Sequence, residues 1–192
     1  MYDLVLQNGL VVDGGRAKPY TANVCIQDGK IAKITTDTVS GTETLDVSGL
    51  AVAPGFIDLH SHSDASPLMD YAVESKIAQG VTTEIVGNCG ISILPATPER
   101  IGEIEEYITS QLELPVYGKK VAQMSVTDYA RAVKEHGAST NYGVLVGHGT
   151  LRLAVMGFVN RAPSEEEMEQ LKALLDRELS SGAFGMSLGL IY

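Results

Sequence analysis

The chain has 192 residues, with 14 Lys and Arg against 24 Asp and Glu, which gives a formal net charge of −10 at pH 7. Hydrophobic residues make up 44% and charged residues 20%, which excludes wholesale disorder. The acidic excess argues against a nucleic acid partner, because phosphate binding needs a basic surface. No apolar run approaches the roughly 18 residues that cross a bilayer, and the first residues lack the basic flank of a secretion signal. We therefore expect a cytoplasmic globular protein with no nucleic acid or membrane partner.

Residues 1–53 predict a series of short strands without an intervening helix. Asn8-Gly9 and Asp28-Gly29 are residue pairs that favour the tight turns of hairpins, and strand-like segments flank both. The predicted strands cover 3–7, 10–12, 23–27, 30–34, 44–47 and 50–53. Strands at this spacing indicate a small antiparallel sheet or half of a β-sandwich. We therefore predict that residues 1–53 form part of a β-sandwich domain.

From Pro54-Gly55 onward, predicted strands and helices alternate along the chain. Thr97-Pro98 suits the first turn of a helix, and Ser164 with Glu167 has the spacing of a capping box. The predicted strands cover 56–59, 81–86, 141–146 and 183–188. The predicted helices cover 69–79 and 126–136, and two more begin at Thr97 and Ser164, with an irregular segment over 114–124.

Alternation of strands and helices implies a parallel sheet with right-handed crossovers. Residues 54–192 hold four such βα units, and a complete (β/α)8 barrel takes eight units and about 250 residues. The prediction is therefore α/β: about half of a TIM barrel over 54–192, preceded by a small β-sandwich domain. A small doubly wound sheet is the alternative, and the position of the polar residues favours the half-barrel.

The strand over 56–59 leads into two histidines separated by one residue, His60 and His62. Residues two apart on a strand point to the same side, with Cα atoms about 6.6 Å apart, so two such imidazoles can share a metal ion at about 2.0–2.1 Å per nitrogen. An arbitrary His-x-His pair is more often two polar residues where a strand meets solvent. Here the apolar strand predicts burial, and its end is where barrels place their active sites, which favours a metal site.

Cys89 lies just past the predicted strand over 81–86. A lone cysteine is usually a buried apolar residue, which is our interpretation of Cys25 in the middle of an earlier strand. Gly87 and Gly90, however, allow a sharp turn that lets the Cys89 thiol reach into a site, and a thiolate is a ligand well suited to zinc. Two cysteines are too few for a disulfide framework.

Polar residues also occur at the other two predicted strand ends. His148 follows the strand over 141–146, and Ser187 lies near the end of the strand over 183–188. For His148, direct metal binding, support of a ligand, substrate contact and a purely structural role all stay open. Ser187, and Asp64 two residues after His62, are further candidates for substrate contact or for supporting the metal ligands. A barrel requires such residues to share one rim.

Three segments carry a resemblance to a known family: PGFIDLHSH at 54–62, GVTTEIVGNCG at 80–90 and GAFGMSLGLIY at 182–192. The first, after a strand-rich N-terminal part, resembles the amidohydrolase superfamily. Together the three resemble the N-acyl-D-amino-acid deacylases, also called D-aminoacylases. The resemblance runs through all 192 residues.

The resemblance implies a zinc-dependent hydrolase of the C–N amide bond of small N-acyl-D-amino acids, with one or two Zn²⁺ ions. It implies that His60 and His62 are ligands of one zinc position and that Cys89 bridges toward the second. In the family, further zinc histidines and a catalytic aspartate lie on later strands, beyond Tyr192, so no catalytic residue is expected within this chain. We therefore expect the N-terminal portion of a longer enzyme, inactive by itself.

Two other functions stay open. A cyclic amidohydrolase of the hydantoinase or dihydroorotase type usually bears a carboxylated lysine on the fourth strand, and no lysine follows Lys172. By the resemblance, Cys89 takes the place of that lysine, which favours the deacylase. The remaining alternative is a non-catalytic scaffold that binds metal and self-associates through the open edges of its sheet.

Overall fold

The computed structural model describes residues 1–68, 75–112 and 124–191. The chain divides into two units, Met1–Gly55 and Phe56–Tyr192. Within the described ranges, no helix is both long and apolar enough to cross a membrane. Most of the predicted helix over 69–79, and nearly all of the predicted irregular segment over 114–124, lie outside the described residues. The part of 69–79 that is described holds a short 3-10 turn, Ile77–Gln79, which ends at Gly80.

The first unit is a mixed five-stranded sheet. Its strand order is β3-β2-β1-β4, with β5 beside β1. β1 is antiparallel to β2 and β2 to β3, but β1 is parallel to β4 and β5. The expectation of an antiparallel sheet is therefore wrong for β4 and β5, because residues 36–40 carry the chain from β3 to the opposite edge of the sheet. The strands are β1 (Tyr2–Val11), β2 (Tyr20–Gln27), β3 (Lys30–Thr35), β4 (Gly41–Asp46) and β5 (Ala51–Val52).

One of the two predicted hairpin turns is a bulge instead. Asp28 and Gly29, with φ of 53° and 69°, form the predicted hairpin between β2 and β3. Asn8 also has a positive φ of 61°, yet β1 continues through it, and the pairing of β1 with β2 shifts register between Leu6 and Gly9. The prediction of a hairpin at Asn8-Gly9 is therefore wrong: the same local preference for positive φ produces a β-bulge.

The second unit contains a curled parallel sheet of order β6-β7-β8-β9, as the alternation of strands and helices predicted. Its described helices lie in the connections, α1 and α2 between β7 and β8, and α3 and α4 between β8 and β9. The strands are β6 (Phe56–Asp58), β7 (Val81–Val86), β8 (Asn141–Gly147) and β9 (Gly185–Ser187). The helices are α1 (Ile101–Leu112), α2 (Val126–His136), α3 (His148–Met156) and α4 (Glu165–Ser180).

The largest hydrophobic core of this unit lies where β7 and β8 meet α1, α2 and α3. Val86 on β7 and Val144 on β8 face helix residues there, so both strands are anchored by apolar packing. Its buried members include Ile91, Ile93, Leu94, Ile104, Ile108, Tyr129 and Leu153. Cys25, in the first unit, is fully buried as predicted.

Two predictions about the second unit are wrong. Strand β6 is not buried: Phe56, Ile57 and Leu59 are 63%, 60% and 71% exposed, because within the described residues β6 is an edge strand paired only with β7. The first long helix does not begin at Thr97 but at Ile101. The Thr97 hydroxyl donates to the Ala154 carbonyl (3.3 Å) instead of capping a helix.

Helix α3, which begins at His148 directly after β8, was not predicted from the sequence. Gly149 argues against a helix here, because glycine costs roughly 1 kcal/mol in a helix interior. Here glycine is needed for close packing: a Cβ on Gly147 would lie 2.6 Å from the Gly90 carbonyl oxygen, and one on Gly149 would lie 2.4 Å from Tyr107 Oη. Tertiary packing therefore outweighs helix propensity.

The predicted capping box of α4 is confirmed. Glu167 N donates to Ser164 Oγ (3.2 Å), and Ser164 N donates to Glu167 Oε2 (2.8 Å). Arg161 pairs with the same carboxylate, and these hydrogen bonds lower the pKa of Glu167 to about 2. The box fixes the first turn of a helix whose opposite end supports α2.

We expect Ser164→Ala to lower the free energy of unfolding by about 1 kcal/mol, because it removes the acceptor for the Glu167 amide. Urea unfolding followed by far-UV circular dichroism measures the change. Ser180→Ala at the other end of α4 is the control and should change stability by less than about 0.5 kcal/mol. Equal losses in the two variants would contradict a capping role.

Candidate metal centre

His60, His62 and Cys89 meet at the ends of two neighbouring parallel strands. The histidines follow β6 and the cysteine follows β7, so both segments leave the same edge of the sheet. Cys89 Sγ lies 3.2 Å from His60 Nε2, and the two imidazole ring centroids are 5.5 Å apart. One potential ligand atom from each residue lies within 4.8 Å of the other two. The predicted juxtaposition of these side chains is confirmed.

Three of the four residues in the loop over 87–90, which carries Cys89, have left-handed backbone. Gly87, Cys89 and Gly90 have φ of 79°, 57° and 77°. Positive φ costs a residue with a side chain about 1–2 kcal/mol, so Cys89 is held in place by its surroundings. The Asn88 side chain contributes, because its Nδ2 donates to the carbonyls of Ile85 (2.8 Å) and Ser61 (3.1 Å). The side-chain amide of Asn88 thus joins the Cys89 loop to the histidine segment.

Ser187 at the end of β9 fastens the same loop. Its hydroxyl donates to the Gly87 carbonyl and accepts from the Gly90 amide (2.9 Å). Its contacts are therefore with backbone on both sides of Cys89. Of the two roles left open for Ser187, this placement suits support of a ligand.

Asp64 is a buried carboxyl beside the site. It is 1% exposed, and neither of its two carboxyl oxygens has a partner in hydrogen-bonding geometry in the described part of the chain. Burial raises its pKa to about 7, although the amides of Gly87 and Ile93 act in the opposite direction. Tyr129 Oη donates to its backbone carbonyl (2.8 Å). Asp64 thus lies between the histidine segment and the cysteine loop without joining the three-residue cluster.

His148 lies elsewhere. It begins α3 and lines a cavity of about 460 Å³ together with Tyr107, Arg152, Phe158 and Leu190. Burial, followed by the charge of Arg152, lowers its pKa. The start of α3 is joined to the cysteine loop by a hydrogen bond from the Gly149 amide to the Gly90 carbonyl (2.8 Å). The structure therefore does not bring His148 into the His60–His62–Cys89 cluster.

Glu84 on β7 is a buried charged residue that the sequence analysis did not single out. It is 1% exposed and accepts hydrogen bonds from Ser61, Ser63 and Thr140. Burial alone would raise its pKa, but these hydrogen bonds outweigh burial and lower it. A signal was available: Glu84 is in phase with buried Val86, where alternation predicts an apolar side chain.

The three clustered side chains suit a zinc ion. Two imidazoles and a thiolate are the donor types that zinc prefers, and tetrahedral zinc holds such donors about 3.4–3.6 Å apart. The 3.2 Å between Cys89 Sγ and His60 Nε2 is close to that spacing. His62 Nδ1 is buried and has no hydrogen-bond partner in the described ranges, and burial followed by the charge of His60 lowers the pKa of His62. A neutral imidazole is the form that binds metal.

Comparison with known proteins gives matches along the whole chain. The chain is 37% identical over 196 residues to a D-aminoacylase from Alcaligenes xylosoxydans xylosoxydans, covering 100% of this chain and 38% of the relative. It is 35% identical over 191 residues to an N-acyl-D-aspartate deacylase from the same organism, covering 99% of this chain and 37% of the relative. The chain therefore spans less than two fifths of the length of these relatives. No family model matches it.

Solved structures agree with the sequence matches. A D-aminoacylase with a binuclear metal centre matches with a TM-score of 0.84 at 34% identity, covering 100% of this chain and 39% of that chain. An N-acyl-D-glutamate deacylase from Bordetella bronchiseptica, solved with zinc and a phosphonate inhibitor, matches with a TM-score of 0.83 at 32% identity and the same coverage. By fold and by sequence along its whole length, the chain is homologous to D-aminoacylases and N-acyl-D-amino-acid deacylases.

Proposed function

We propose that this chain supplies the His60–His62–Cys89 part of the metal site in a zinc-dependent hydrolase that acts on N-acyl-D-amino acids. The observation that carries the proposal is the convergence of three metal-binding side chains within 4.8 Å at the ends of β6 and β7. The solved relatives support it, since one has a binuclear metal centre and another was solved with zinc. The second unit is then the first half of a (β/α)8 barrel, preceded by a β-sandwich domain.

In this proposal, each residue of the cluster has a defined role. His60 and His62 would hold one zinc ion, and Cys89 would serve as a ligand shared with a second. Zinc, when bound, makes water a nucleophile at neutral pH by lowering its pKa to about 7, and it polarises a carbonyl. Ser187 and Asn88 keep the Cys89 thiol directed at the histidines through their contacts with the cysteine loop.

None of the described Asp or Glu residues joins the three-residue cluster. Proton transfer to a leaving amine needs a general acid within hydrogen-bond reach, and the three clustered ligands do not provide one. We therefore expect the 192-residue chain by itself to bind zinc but to hydrolyse N-acyl-D-amino acids at a negligible rate.

The test is hydrolysis of N-acetyl-D-amino acids by the protein at its full natural length, with the L enantiomers as the matched substrate control. We expect turnover of the D enantiomers that is lost on chelation and restored by zinc. His62→Ala should remove it, and His136→Ala at the end of α2 should not. Turnover that survives chelation, or equal rates for both enantiomers, would contradict the proposal.

One observation favours the non-catalytic scaffold as a second candidate. Within the described sheet, β6 and β9 are the edge strands, and large apolar residues on or next to them are exposed, among them Phe56, Ile57, Phe184 and Leu188. Unpaired apolar edges favour association between chains. Sedimentation of the 192-residue chain with and without zinc tests this candidate: an oligomer that forms whether or not zinc is present supports the scaffold, and a monomer under both conditions contradicts it.

A further inference from the structure

The segment that carries both histidines is hydrogen bonded to one buried carboxylate, that of Glu84. Ser61 Oγ and Ser63 Oγ donate to Glu84 Oε2 at 2.9 and 2.5 Å, and Thr140 Oγ1 donates to Glu84 Oε1 at 2.9 Å. Ser61 and Ser63 are the residues immediately before and after His62. Glu84 therefore holds the chain on both sides of that histidine from the neighbouring strand.

Glu84 also belongs to a charged network that reaches His60. Lys76 Nζ lies 4.0 Å from Glu84 Oε2 and donates to Asp58 Oδ2. The other oxygen of Asp58 accepts from the His60 amide (3.1 Å). The Glu84–Lys76–Asp58 network thus contacts the backbone or the flanking side chains of both histidines.

We infer that Glu84 is a positioning residue, which fixes His60–Ser63 in the geometry required for binding zinc; this inference rests on the proposed function. A charged residue buried only for stability is a poor choice, because an apolar side chain of similar volume is often as stable or more so. Both hydrogen bonds to Glu84 Oε2 come from the residues beside His62, and Ser61 Oγ also lies 2.8 Å from Ser63 Oγ. Groups that hydrogen bond to metal ligands orient them and tune metal affinity, and Glu84 acts one residue further out, through the serines on either side of His62.

The experiment measures zinc affinity of the 192-residue chain by competition with a chromophoric chelator, together with the visible spectrum of the cobalt-loaded chain. We expect Glu84→Ala to weaken zinc binding about 10- to 100-fold and to change the cobalt spectrum, because His62 is no longer held. Glu84→Gln keeps the volume and can still hydrogen bond to both serines. It should recover most of the affinity.

Glu178→Ala is the matched control. Glu178 is also a fully buried glutamate, but its contacts are with the Val126 amide (3.0 Å) at the start of α2 and with Arg177. Its removal should destabilise the protein and leave zinc affinity within about twofold of the wild type. A general loss of stability would instead weaken zinc binding in both alanine variants.

Substitution of the two serines removes the same hydrogen bonds from the other side. Ser61→Ala with Ser63→Ala should weaken zinc binding at least about tenfold, and adding Glu84→Ala to this pair should cost less than it does alone, since residues in one network are not additive. If Glu84→Ala does not fold, the serine pair carries the test. Wild-type affinity in the serine pair, and in Glu84→Ala where it folds, would overturn the inference. Failure of the wild-type chain to bind zinc would instead overturn the proposed function.

Discussion

Replacement of Cys89 by Ala should weaken zinc binding by the 192-residue chain by more than about 100-fold. Loss of a residue behind a metal ligand already costs about 10- to 100-fold, and this variant removes the proposed thiolate ligand itself. Of the three clustered side chains, only the two imidazoles would remain. Competition with a chromophoric chelator measures the affinity, and Cys89→Ser, which keeps the size of the side chain, should show a similar loss.

Cys25→Ala is the matched control, because Cys25 is the other free cysteine and lies fully buried in β2. It should leave zinc affinity unchanged. Zinc should also protect one thiol from alkylation in the wild type, and that thiol should be absent from Cys89→Ala. Wild-type zinc affinity in Cys89→Ala, with its fold intact by circular dichroism, would show that Cys89 is not a ligand.

The juxtaposition of His60, His62 and Cys89 could be predicted because it depends on topology more than on detail. Parallel strands joined by crossovers end at the same edge of a sheet, so residues placed just after β6 and β7 must be neighbours. Glycines beside the cysteine marked the sharp turn. The structure confirms the meeting of these side chains, and their role as metal ligands stays a prediction.

Features that depend on distant partners could not be predicted in this way. Asn8-Gly9 and Asp28-Gly29 have the same local preference, but only the second forms a hairpin. At the first, the Asn8 amide donates to Asn23 Oδ1 (3.0 Å) and its side chain donates to Asp46 Oδ1 (3.2 Å), and these residues lie 15 and 38 positions away. Such contacts hold Asn8 in a bulge within a continuous strand.

The support of the site was also hidden from the sequence. Hydrogen bonds from Ser61 and Thr140 to Glu84 join residues 23 and 56 positions apart. An acidic residue within a strand is ordinarily placed on the solvent side, and only its phase with Val86 indicated burial. His148 shows another limit: it directly follows β8, as the sequence indicated, but α3 begins there and the side chain lines a cavity with Tyr107 and Arg152 instead of joining the three-residue cluster.

Replacement of Gly87 by Ala should destabilise the protein severely, by more than about 4 kcal/mol, the range reached only by specific structural conflicts. Gly87 has φ of 79°, and a Cβ there would lie 2.0 Å from the Leu145 carbonyl oxygen and 2.9 Å from the Leu145 carbonyl carbon. Those atoms belong to β8, the strand that packs beside β7, so backbone would have to move. The Cys89 loop would then lose its place against the sheet, and zinc binding would be lost as well.

Gly137→Ala separates steric conflict from the cost of left-handed backbone. Gly137 ends α2 with φ of 87°, and a Cβ there meets nothing within 4 Å. This variant should lose only about 1–2 kcal/mol and keep its zinc affinity. Urea unfolding followed by far-UV circular dichroism measures the stability of both variants, since the chain has no tryptophan for fluorescence. If Gly87→Ala were as stable as Gly137→Ala, the β8 backbone would have yielded, and close packing of the Cys89 loop on Leu145 could not be what holds the thiol beside the histidines.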